Sequence, residues 1–61
     1  MKLGARVKVT VQQGAEYVAY VGNLKQNSES VVLTAAVCDD ETYKEVELNQ
    51  RFVISIAVLE D

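Results

Sequence analysis

Apolar residues recur at every second position along most of this chain, a period that suits strands and does not suit amphipathic helices. Arg6-Val7-Lys8-Val9-Thr10-Val11 is the plainest case, with Val7, Val9 and Val11 on one face. Gln12-Gln13-Gly14 then reads as a turn, Gly14 being free to take positive φ. Residues 16–24 form a second, longer pattern, with Val18, Tyr20, Gly22 and Leu24 on one side. A glycine inside such a pattern marks a bend, a bulge or a close backbone approach, so Gly22 is the expected corner. Residues 25–30 are polar throughout and read as a loop. A third strand is expected over residues 31–38, with Leu33, Ala35 and Val37 in phase. Asp39-Asp40-Glu41 follows as a solvated, charged tip. Residues 42–48 alternate again, Lys44, Val46 and Leu48 lying opposite Tyr43, Glu45 and Glu47. Asn49-Gln50 reads as a tight turn, and the very apolar residues 51–59 as a central strand or one paired at an interface. Five strands with short connections make an all-β barrel or curled sandwich.

Composition narrows the functional classes. The 61 residues fit one domain, 1–61, with no proline and only three glycines. A chain this small buries only about 60% of its unfolded surface, so self-association is a natural source of stability. No apolar run approaches the roughly 20 residues of a membrane helix, and Met1-Lys2-Leu3 leads directly into alternation rather than into a signal peptide. The net charge is −3, unevenly distributed. Residues 1–30 carry four bases against two acids, whereas residues 31–61 carry two against seven. Cys38 is the only cysteine, which excludes an internal disulfide and fits a reducing, cytoplasmic setting. It is expected to be buried as a small hydrophobe. Histidine is absent, which removes the usual general base, the Ser–His and Cys–His pairs and the commonest zinc ligand. No phosphate-loop, catalytic carboxylate pair or metal spacing is present, so neither an enzyme nor a cofactor is expected.

The order of landmarks resembles a known family. A first strand ending near Gly14, then Tyr20-x-Gly22-x-Leu24 and Val31-Val32-Leu33-x-x-Ala36, is similar to the first Sm motif. Val46-x-Leu48-Asn49-Gln50-x-x-Val53-x-x-Ile56 is similar in placement to the second. The resemblance to Sm-like (LSm) proteins implies a strongly bent, five-stranded SH3-like barrel. It also implies a homo-oligomeric ring of about five to seven subunits, closed by pairing the fourth strand of one with the fifth of the next. Single-stranded RNA would bind at the pore. The loop that carries an aromatic, an Asp and an Asn in that family reads Lys25-Gln26-Asn27-Ser28-Glu29-Ser30 here, and its Arg-Gly pair falls on Asn49-Gln50.

Recognition of single strands needs stacking platforms and hydrogen bonds to base edges. Asn27, Ser28 and Ser30 in one loop, and Asn49, Gln50 and Arg51 in the other, are the candidate RNA-binding residues. Asn and Gln offer paired donors and acceptors, and Arg51 can stack or hold phosphate. The competing reading is a protein-binding or structural β module without RNA, in which these residues only form turns.

Overall fold

A computed structural model describes residues 2–61; Met1, part of the segment read for a signal peptide, lies outside them. Five antiparallel strands form one sheet: β1 (Arg6–Gln13), β2 (Glu16–Asn27), β3 (Ser30–Cys38), β4 (Glu41–Asn49) and β5 (Val53–Glu60). A short 3-10 helix, η1 (Gln50–Phe52), joins β4 to β5. The order across the sheet is β4-β3-β2-β1-β5, so β4 and β5 are its two edges and the sheet does not close on itself. No helix among the described residues is long and apolar enough to cross a membrane.

The alternation seen in the sequence builds the core. Val7, Val9 and Val11 project to one side and are buried with Leu24, Val31, Leu33, Ala36 and Leu48. Val18, Tyr20, Tyr43, Val46, Val53 and Ile56 pack around them. Gly14 has φ +62 in the two-residue β1–β2 turn, a conformation that costs glycine little.

At Gly22 two strands approach closely. A Cβ there would stand 2.9 Å from the Leu33 Cβ and 3.0 Å from the Thr34 carbonyl oxygen. The ladder slips at this point: Val21 pairs with Val37 but Asn23 pairs with Thr34, leaving an extra residue on β3. Ala35 absorbs it at φ +48. Arg6 ties the bulge down, its Nη1 donating to the Ala35 carbonyl at 3.2 Å and to Asn23 Oδ1 at 3.3 Å.

This bulge corrects the phase expected for β3. Leu33 is buried, but Ala35 is exposed, Ala36 takes the inner position and Val37 turns outward. Other expectations are corrected as well. The polar residues 25–30 are not all loop, because β2 runs to Asn27 and β3 begins at Ser30. A second slip, between Leu24 and Gln26, keeps that extension in register. The Asn49-Gln50 turn is instead the start of η1, which Asn49 caps by accepting the Arg51 N–H. The apolar C-terminal strand is not central. Among the described residues it pairs only with β1, and Ile54, Val58 and Leu59 are exposed. Cys38 is half-buried rather than buried, and burial, then the Asp39 and Glu41 charges, raise its thiol pKa.

Candidate functional site: the β2–β3 turn and η1

The two candidate segments lie far apart in sequence yet meet at one end of the sheet. The β3–β4 ladder brings Ser30 opposite Asn49. The Gln50 N–H donates to the Glu29 carbonyl at 3.2 Å, which fastens η1 onto the β2–β3 turn. Gln50 Nε2 then donates to Asn27 Oδ1 at 2.8 Å and to the Ser28 carbonyl at 3.0 Å. Within the turn, the Ser28 N–H donates to the Ser30 carbonyl at 3.1 Å, and Gln26 Nε2 donates to the Ser28 hydroxyl at 3.0 Å. Asn49 Oδ1 accepts the Arg51 N–H at 2.9 Å. All six candidates, Asn27, Ser28, Ser30, Asn49, Gln50 and Arg51, therefore belong to one cluster.

Their bonding decides what remains for a ligand. Both Nε2 donors of Gln50 and the Oδ1 acceptors of Asn27 and Asn49 are used to hold the two segments together. Left without a hydrogen bond among the described residues are the Asn27 and Asn49 amide donors, Gln50 Oε1, the Ser30 hydroxyl and the Arg51 guanidinium. An open depression of about 530 Å³ is lined by Glu29, Ser30, Asn49, Gln50 and Arg51. The one ion pair among the described residues is Lys25–Glu45 at 2.8 Å, so Arg51 keeps its charge available beside the depression. Lys25, at the start of the polar 25–30 segment, is tied to Glu45.

The sequence places Phe52 within the apolar segment 51–59, read as a central strand or one paired at an interface, and not with the polar candidates. Phe52 is 54% exposed on η1, immediately after Arg51. It lines a second, smaller crevice of about 190 Å³ with Val11, Gln12 and Gln13 from β1 and Glu47, Leu48 and Asn49 from β4. The signal available in the sequence was its position beside a turn and a free arginine, which its apolar character obscured.

The remaining aromatics sit elsewhere. Tyr20 and Tyr43 pack with ring centroids 6.4 Å apart against the core. The Tyr43 hydroxyl donates to Glu41 Oε2 at 2.8 Å. That hydrogen bond first, then burial, pushes the Tyr43 phenol up to about 12. The Asp39-Asp40 turn holds Asp39 at φ +55, a conformation aspartate tolerates better than most side chains.

Comparison with protein-family models gives no match, and comparisons with curated proteins and with solved structures give none either.

Proposed function

We propose that the chain is an Sm-like, ring-forming β module that binds single-stranded RNA through the cluster formed by the β2–β3 turn and η1. The observation that carries this reading is the convergence of Asn27, Ser28 and Ser30 with Asn49, Gln50 and Arg51 at one end of the sheet. Two loops from different parts of the chain that share amide, hydroxyl and guanidinium groups offer both base-edge and phosphate chemistry. The strand order supports the ring half of the reading. β4 and β5 are the unpaired edges, and those are the strands that the resemblance joins between subunits.

A second reading is favoured by the acidity of β4, whose Glu41, Glu45 and Glu47 belong to one edge strand, and by the internal use of the Gln50 donors. In it the cluster is a structural clasp and the oligomer presents its surface to another protein. Titrating binding of uridylate and adenylate oligomers against salt separates the two. Phosphate-driven binding weakens steeply as salt rises, and absence of binding at low salt leaves the protein scaffold.

A further inference from the structure

We infer that a base of the bound single strand stacks on the ring of Phe52, in the crevice between the ends of β1 and β4. This rests on the RNA-binding reading above and assigns it a part that the loop cluster lacks. A single-stranded base is held by a π-face as well as by polar contacts. The β2–β3 turn contains no aromatic residue. Tyr20 and Tyr43 are engaged with each other and with the core, and Tyr17 is not among the residues lining either depression. Phe52 is the aromatic that is both exposed and next in the chain to the cluster's guanidinium.

The crevice has the right chemistry around that ring. Val11 and Leu48, both buried core members, supply an apolar floor. Gln12, Gln13, Asn49 and Glu47 supply the polar rim. Its volume of about 190 Å³ exceeds that of the cavity of about 150 Å³ that accommodates benzene, which leaves room for one base. The amide donors at the rim are weakly committed: Gln12 Nε2 reaches the Gly14 carbonyl and Gln13 Nε2 the Tyr20 hydroxyl, each at 3.4 Å. Both glutamines can exchange those long bonds for a base edge, and Asn49 retains its Nδ2 donors. Arg51, one residue away, stands where the adjoining phosphate would run.

The test compares wild type, Phe52→Ala and Phe52→Tyr by fluorescence anisotropy with an adenylate oligomer and with an abasic oligomer of equal length. Circular dichroism confirms that each variant is folded. Phe52→Ala is expected to weaken adenylate binding about fivefold or more, as losing one base stack should. Phe52→Tyr keeps the affinity. Binding of the abasic oligomer stays the same in all three, and the salt slope does not change because no cation is lost. Equal adenylate affinity in Phe52→Ala and wild type overturns the inference, as does an equal loss with the abasic oligomer. Wild-type protein that binds neither oligomer at about 50 mM salt overturns the RNA reading itself, and the stacking site with it.

Discussion

Gly22 and Ala35 lie at the slip in the β2–β3 ladder, and each fits its place for a different reason. Gly22 is needed for lack of space, since any Cβ would stand within 3.0 Å of β3 backbone and side chain. Gly22→Ala should therefore lower stability by about 1–3 kcal/mol, seen as a lower urea midpoint with a similar slope. Ala35 is strained in the opposite sense, a Cβ-bearing residue at φ +48. Ala35→Gly should stabilise by about 0.5–1 kcal/mol, because glycine takes that conformation without the steric cost. A loss of stability in that variant would show that the bulge is held by something other than backbone geometry. Tyr43 gives a readout in pH. Its phenol is raised from the ordinary 10.0 to about 12 in the folded protein, chiefly by the hydrogen bond to Glu41. The folded value lies above the unfolded one, so this contribution is complete below about pH 10 and fades as pH rises through about 12. Tyrosinate absorbance should show a late step near 12 that Glu41→Gln moves down and Tyr43→Phe removes.

The strands themselves were legible because alternation of Val, Ile and Tyr leaves one geometric solution when one face must be buried. Val7, Val9 and Val11 needed no tertiary information. What alternation could not show was where the phase breaks. The Ala35 bulge leaves no mark in composition, since alanine is at home on either face, and so alternation alone puts Val37 in phase with the buried Leu33 when it turns outward. The C-terminal strand failed for a related reason. Apolar residues on both faces usually mean a central strand, yet here β5 is an edge with register slips beside Ile54 and Leu59, each of which is 52% exposed. Bulges re-aim side chains, and these two send large aliphatics into solvent. The geometry also separates two isoleucines that the sequence treats alike. Ile56 pairs with Val9 and packs against the core, whereas Ile54 does not. Ile56→Lys should unfold the chain or cost several kcal/mol, because it forces a charge against the core. Ile54→Lys should keep the circular dichroism and thermal transition of a folded β protein. Under the proposed ring its effect should fall on assembly, with a smaller sedimentation coefficient than wild type. Equal sensitivity of the fold to both substitutions would contradict the edge placement of Ile54.

At the scale of the whole molecule, the two open edges are unlike each other, and that difference dictates how copies can join. β4 carries Glu41, Glu45 and Glu47, so pairing β4 with a second β4 would crowd like charges. β5 carries exposed aliphatics and one terminal acid, Glu60, and pairing it with another β5 would leave both β4 edges open. Joining β4 of one copy to β5 of the next covers both kinds of edge with one contact, and repeated head to tail it closes a ring or grows a filament. The candidate site was legible in part for the same whole-molecule reason. The turn residues could be named from the sequence, but their meeting depends on the Ser30–Asn49 register and on Gln50 reaching Asn27 across the sheet end. We expect native mass spectrometry to give one closed species of about five to seven chains, the number that the resemblance to Sm-like proteins implies. Burying edge backbone and the Ile54, Val58 and Leu59 side chains should make that species insensitive to salt, whereas the proposed RNA binding should weaken as salt rises. Ile54→Lys should shift it to folded monomer. A wild-type chain that sediments as a folded monomer at micromolar concentration would refute the ring, and an open-ended distribution of masses would replace it with a filament built on the same contact.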